Sequence, residues 1–209
     1  MKKLLHIIAS PREEASRTLQ VSHAFLKEFQ EKHPKCEIDT LDLAREHLPD
    51  LTMKAVNGKY ILLSGKELEG EFKAAWEGIV KQINRFLAAD MYVISTPMWN
   101  FSIPYRLKHY IDLIVQPRYL FRYTEQGTVE GLAKNKKMVI VCSRGGDYSS
   151  PQMASMDFQE PYLKTIFNFV GIKDLTFITA EPMDKDKALQ KEHLKEAQEE
   201  ATQLASTLP

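Results

Sequence analysis

Two cysteines are all that this 209-residue chain carries, Cys36 and Cys142, and they sit at no spacing that binds a metal or builds a disulfide framework. A disulfide-stapled scaffold and a zinc module are thereby excluded, and a reducing, cytoplasmic setting is expected. An excess of charge is also missing, since 28 Lys and Arg stand against 28 Asp and Glu. Binding a polyanion normally leaves a basic excess, so neither a nucleic acid nor a membrane surface is an expected partner. No apolar run approaches the roughly 20 residues needed to cross a bilayer. The opening MKKLLHIIAS has two lysines and a short apolar run. That run contains His6 and leads straight into Pro11-Arg12-Glu13-Glu14, so it reads as a first strand rather than a targeting segment. There is neither a GxGxxG nor a Walker lysine, which removes support for a dinucleotide fingerprint or an NTP loop. The six histidines show no ligand spacing, no Ser, His and acid set presents itself as a triad, and His109 reads as structural.

What is present is a repeating alternation of buried strands and amphipathic helices. Lys3 to Ala9 is nearly continuous in apolar character and reads as strand one. A helix follows to about Lys32, with Val21, Phe25 and Phe29 on one face, and Pro34 ends it. Glu37 to Leu43 alternates polar and apolar residues, as a strand nearer the sheet edge would. His47 to Ser64 holds Pro49, Asn57 and Gly58 without a sustained period, and reads as an excursion over the surface. Ser64-Gly65-Lys66-Glu67 matches a capping box. The helix expected after it places Phe72, Ala75, Trp76, Ile79, Ile83, Phe86 and Leu87 on one stripe.

Met91 to Ile94 is a strand buried on both faces. Beyond the loop that follows it, Leu107, Tyr110, Ile111, Ile114 and Val115 mark a helix with Pro104 in its first turn. Pro117 to Gly131 is expected to be a connection. Met138 to Cys142 is the next buried strand. A helix carrying Leu163, Ile166, Phe167 and Val170 should end at Gly171. Leu175 to Thr179 is the last strand, and Asp184 is the expected cap of a charged final helix. Five βα units argue for a doubly wound parallel sheet with helices on both faces. The flavodoxin-like strand order 2-1-3-4-5 is the matching solution, with residues 1–209 as one domain.

Three loops stand out because they follow strands one, three and four, which are neighbours in that order. In such sheets ligands bind at the carboxyl ends of the strands. The first loop carries Ser10, Ser16 and Thr18 with Arg12 and Arg17 close by; hydroxyls and free amides at a helix start suit a phosphate. Ser16 could equally be only a helix cap. The second is Pro97-Met98-Trp99-Asn100-Phe101. It could receive a flat heterocycle, with Asn100 at its edge and Met98 and Trp99 against its face, or simply plug the end of the sheet. The third is Ser143-Arg144-Gly145-Gly146, where paired glycines after a buried strand let the backbone approach a ligand closely. Tyr119, Phe121 and Tyr123 make the connection after the central helix rich in aromatics. They read as core, as a cover for a flat substrate, or as a contact with a partner subunit.

SPR followed by S-x-[ST] after strand one, PMWNF-x-IP after strand three, SRGG after strand four and FRYTEQG in the aromatic connection resemble the FMN-dependent NADH:quinone oxidoreductase and azoreductase family, over nearly the whole chain. The resemblance implies a flavodoxin-like homodimer with one FMN per subunit at the interface. Ser10, Ser16, Arg17 and Thr18 would hold its phosphate and ribityl chain. Pro97, Met98, Trp99, Asn100 and Phe101 would flank the isoalloxazine, and Ser143, Arg144, Gly145 and Gly146 would close its other edge. Tyr119, Phe121 and Tyr123 would line the substrate pocket from the neighbouring region or the partner chain. The commoner family loop has Tyr where this chain has Trp99, which keeps the flat face and removes a hydroxyl. NADH or NADPH would be the donor, and a quinone or azo compound the acceptor, in a two-electron ping-pong cycle. The hydride chemistry would be the cofactor's, so no catalytic side chain and no metal are expected. A flavodoxin-type electron carrier is the first rival, but such carriers usually bear an acidic bias. A hydrolase would need a nucleophile or metal constellation. A flavin-free scaffold is the structural alternative.

Overall fold

Five long strands, the central three buried on both faces, set the layers. In the computed structural model, which describes residues 1–208, they are β1 (Lys3–Ile8), β2 (Glu37–Asp42), β3 (Met91–Pro97), β6 (Lys137–Ser143) and β7 (Asp174–Ala180). They pair in parallel in the order β2-β1-β3-β6-β7. Numbered among the parallel strands alone, that is the expected 2-1-3-4-5. The two intervening strands, β4 (Phe121–Tyr123) and β5 (Val129–Gly131), form a separate antiparallel hairpin within the 117–131 connection. Gly127, with φ +74°, turns it between Thr124 and Thr128.

Strand periodicity divides the core in two. Leu4, Met91, Val93, Val139 and Val141 point to one face, where α1 (Arg17–Lys32) and α6 (Lys187–Thr207) cover them. Leu5, Ile7, Tyr92, Ile94, Met138 and Ile140 point to the other, under α3 (Gly70–Leu87), α4 (Tyr105–Ile114) and α5 (Glu160–Phe169). Phe25 and Phe29 of α1 are fully buried; each contributes about 1.5–3 kcal/mol by leaving water. Gly171, at φ +106°, ends α5 as its sequence suggests, with the Ile172 amide returning to the Phe167 carbonyl.

Three local expectations are corrected. The 47–64 stretch contains a helix, α2 (Met53–Leu63), capped by the Thr52 hydroxyl, which accepts from the Ala55 amide. The Asn57-Gly58 pair looks like a turn, but Gly58 faces the Trp76 indole, which a Cβ there would overlap. Trp76 Nε1 then donates to the Ala55 carbonyl at 2.9 Å. Ser64 is no capping-box residue: it ends α2, its hydroxyl donating to the Ile61 carbonyl, while α3 begins at Gly70. Asp184 does not cap the last helix. Asp186 does, accepting from the amides of Ala188 and Leu189.

Candidate functional site

Parallel strands of one sheet end together, so neighbours in the sheet bring their following loops together. β1, β3 and β6 are such neighbours. Backbone hydrogen bonds tie the ends: the Ala9 amide to the Ser95 carbonyl, the Met98 amide to the Ser143 carbonyl, and the Arg144 amide to the Ala180 carbonyl beyond β7. The result is a cavity of about 120 Å³ lined by Ser10, Arg12, Ser16, Arg17, Thr18, Pro97, Met98, Ser143, Arg144, Gly145, Met183 and Asp184. Nine of the residues singled out in the three loops meet there. Arg12 joins them from the first loop. Met183 and Asp184 come from the loop after β7, which no motif marks.

The chemistry of the lining is that of an anion site. The Ser16 hydroxyl caps α1 by accepting from the Leu19 amide. Thr18 and Ser143 share a hydrogen bond of 2.6 Å across the cavity floor. The first turn of α1 points its free amides and dipole at the same place. Arg17 adds a guanidinium, whose Nη1 donates to the Met183 carbonyl at 2.8 Å and to the Asp184 carboxylate at 3.2 Å. A phosphate matches this donor set.

Beside it, Trp99 to Ser102 form a tight turn closed by two backbone hydrogen bonds between those residues. Asn100 at φ +48° and Phe101 at φ +68° both lie in the left-handed region. Asn tolerates this; Phe pays about 1–2 kcal/mol for it. The turn thrusts Asn100 and Phe101 outward from the sheet, leaving Phe101 exposed. The strain is held by Phe158, whose amide donates to the Phe101 carbonyl. Tyr148 meets the Phe101 ring edge-on, and Gly146 lies against Tyr148. Trp99 also walls a second cavity, of about 600 Å³, with His47, Tyr105 and His109.

Arg144 behaves differently from the rest of its loop. Its side chain is 3% exposed and turned into the protein. It pairs with Asp157 at 3.1 Å, Glu160 at 3.4 Å and Glu181 at 3.6 Å, and its Nε donates to Gln159. Burial pushes the Glu181 carboxyl above the usual carboxylate range, against the pull of the Tyr148 amide and Arg144. None of these partners is visible at any motif spacing.

The aromatic connection does not reach this cavity within the chain. Tyr119 stacks on Trp76, and Phe121 is buried against Phe169 at the end of α5. The hairpin lines a separate cavity together with Lys2, Asp90, Lys136 and Asp174, which lie at the amino ends of the strands. Tyr123 is 60% exposed. His109 bonds the Pro49 carbonyl, and His6, lowered to about 3 by burial, bonds the Ser95 hydroxyl inside the core. Cys36 and Cys142 are free and buried, and burial raises the Cys142 thiol to about 12.

Comparison with known proteins agrees with this geometry. The family model described as a flavodoxin-like fold matches residues 2–205. An FMN-dependent NADH:quinone oxidoreductase of Pseudomonas fluorescens is 37% identical, covering 99% of each chain. One from Desulfotalea psychrophila is 36% identical over 100% of this chain and 98% of its own. Among solved structures, an azoreductase from Bacillus anthracis superposes with a TM-score of 0.90 at 30% identity over the whole of both chains. An FMN-dependent NADH-azoreductase from the same species, in complex with FMN, gives 0.84 at 30% identity, covering 98% of this chain and 100% of its own. A sheet of this order, three loops converging on an anion cavity and relatives matched from end to end leave one assignment: the chain belongs to the flavodoxin-like family that contains the FMN-dependent NADH:quinone oxidoreductases and azoreductases.

Proposed function

We propose that this protein is an FMN-dependent NADH:quinone oxidoreductase that also cleaves aromatic azo compounds reductively to amines. The observation that carries the reading is the one cavity where hydroxyls, a guanidinium and a helix start meet the Met98 and Gly145 loops, in a chain whose relatives bear that name. Bound there, FMN supplies the hydride and two-electron chemistry that side chains cannot. Ser10, Ser16, Arg17 and Thr18 hold its phosphate and ribityl chain. Pro97, Met98, Trp99, Asn100 and Phe101 flank the ring system. Ser143, Gly145 and Gly146 close the other edge, and Arg144 acts from behind by fixing that loop. Backbone amides near Asn100, Gly145 and Gly146 offer fixed dipoles to negative charge that develops on the ligand. The two sides of the reaction share one open face, which suits a ping-pong order.

Residues 1–209 act as one FMN-binding domain, and the working unit is a homodimer in the cytoplasm. An apolar stripe on α2 supports the dimer: Met53, Val56, Tyr60 and Leu63 are all exposed. So does Tyr123, which is exposed on the hairpin away from the anion cavity of its own chain and can serve a partner's. The reduced, buried cysteines support the compartment, and among the described residues no helix is long and apolar enough to cross a membrane. The balance of charge argues against a carrier that docks through acidic residues, and against a nucleic-acid partner.

The visible spectrum of the purified protein tests the reading. A flavin spectrum should bleach on adding NADH without oxygen and return on adding benzoquinone. A protein that stays colourless and takes up no added FMN would end it. Gly145→Val tests the placement. A Cβ at Gly145 points into the cavity and overlaps the exposed Asp184 carboxylate, which can move aside. The fold should therefore survive, while FMN affinity falls by about a hundredfold, the scale of about 3 kcal/mol for a blocked close approach. Undiminished affinity in a folded variant would place the ligand elsewhere.

A further inference from the structure

We propose that Asp184 sets the affinity of the phosphate end of this site by holding Arg17 and standing in the anion position until the phosphate of FMN displaces it. The inference rests on the FMN reading above. Asp184 is the one acid among the residues that line the small cavity, alongside Arg12 and Arg17. Its backbone is fixed, because the Asp184 amide donates to the Gly145 carbonyl at 3.0 Å. Its side chain reaches back over Gly145, so that a carboxylate oxygen fills the space a Cβ on that residue would need. The other oxygen accepts from Arg17 Nη1 at 3.2 Å. The carboxylate thus lies between the guanidinium and the glycine, where an incoming anion finds its donors.

A phosphate entering that space has two options. It meets a unit negative charge at contact distance, or it sends the carboxylate out to water. The first route costs repulsion, and the second gives up the Arg17–Asp184 pair. The second route is open because the Asp184 side chain is 77% exposed while that of Arg17 is 26% exposed. The acid can rotate into solvent, whereas the guanidinium stays anchored by the Met183 carbonyl at 2.8 Å. Two unit charges about 4 Å apart near a protein surface interact strongly enough to change affinity by about tenfold even after partial screening. Asp184 therefore keeps Arg17 paired when no anion is present and weakens the hold on the phosphate when one is.

The test compares FMN with riboflavin, which lacks the phosphate, by equilibrium fluorescence titration of the purified full chain. Asp184→Asn should bind FMN about tenfold tighter than wild type at low salt, with the gain shrinking as salt is added. Riboflavin affinity should not change. In the Arg17→Ala background the same substitution should give a smaller gain, because no pair remains to be broken. The proposal is overturned if Asp184→Asn leaves FMN affinity unchanged or lowers it, the result expected of an acid that orients Arg17 toward the phosphate. It is also overturned if FMN and riboflavin tighten equally. A wild-type chain that binds neither flavin would overturn the FMN reading itself, and the proposal with it.

Discussion

Arg144→Met should lower the stability of the protein by about 3–5 kcal/mol, and its unfolding midpoint by on the order of 10 °C. The guanidinium is buried among Asp157, Glu160 and Glu181 with Gln159 completing its contacts. Methionine fills much of the volume but leaves Asp157 and Glu181 without their cation, while Glu160 keeps Lys164 at 2.6 Å. Removing one partner of a buried pair costs far more than the pair contributes, because an uncompensated charge stays inside. The variant should also lose FMN, since the Arg144 backbone bridges the Ala180 carbonyl and the Met183 amide and so sets the height of the glycine loop.

The pH dependence of Arg144→Met carries a definite sign. Burial raises the Glu181 carboxyl in the folded state, so the folded protein binds this proton more readily than the unfolded chain does. Glu181 therefore favours folding below its ordinary value, and that contribution is lost as pH rises through the raised one. Arg144 opposes the rise. Without it the carboxyl moves higher and the loss at neutral pH deepens. The deficit of Arg144→Met relative to wild type should thus shrink on going from pH 7 to pH 5 in urea unfolding. A deficit below about 1 kcal/mol, the size of an exposed pair, or one flat with pH, would mean that the cluster is open to water and the arginine merely peripheral.

The contrast between Arg144 and its own loop shows where sequence reasoning reaches and where it stops. Met91 to Ile94 and Met138 to Cys142 are readable because a strand buried on both faces must be apolar throughout. Once those strands are ordered, the convergence of Ser10, Met98 and Gly145 follows from topology alone. Arg144 stands beside two glycines that do face the cavity, yet its guanidinium turns inward. Its acids lie 13 to 37 residues away in the chain, on two separate segments at 157–160 and 181, and no spacing encodes them. Asp184 is hidden for the same reason, since its partner Arg17 is at the other end of the sequence. At α2 the failure is local. Met53, Val56, Tyr60 and Leu63 make the outer face apolar, so no amphipathic period emerges. Asn57-Gly58 has the look of a turn because a glycine needed for close helix packing cannot be told from one needed for a positive φ. The aromatic connection carries three readings in the sequence because Tyr119 and Phe121 pack on Trp76 and Phe169, partners 43 and 48 residues away that no local pattern marks.

Gly131→Val should separate the hairpin from the rest of the molecule at a cost of about 3 kcal/mol. A Cβ at Gly131 would overlap the backbone of Val170 and Gly171, and neither can yield as a flexible side chain could. To make room the hairpin must lift from α5, loosening the Ala133–Val170 hydrogen bond and the Phe121–Phe169 contact, whose rings are 4.8 Å apart. The hairpin shares a cavity with the amino ends of the strands, away from the loops that would hold FMN. Displacing it should therefore leave FMN affinity within about twofold of wild type, well under the tenfold that 1.4 kcal/mol would give. If Tyr123 and its neighbours cover the substrate of a partner chain, KM for the quinone should rise several-fold in the same variant. Titration of FMN alongside steady-state kinetics separates the two effects. A parallel fall in FMN affinity would tie the hairpin to its own chain's cofactor. A KM that does not move would return Tyr119, Phe121 and Tyr123 to the core, as residues that only fasten a hairpin to α5. The proposed split between KM and cofactor binding follows from the sheet itself, because a parallel strand cannot present its two ends to the same site.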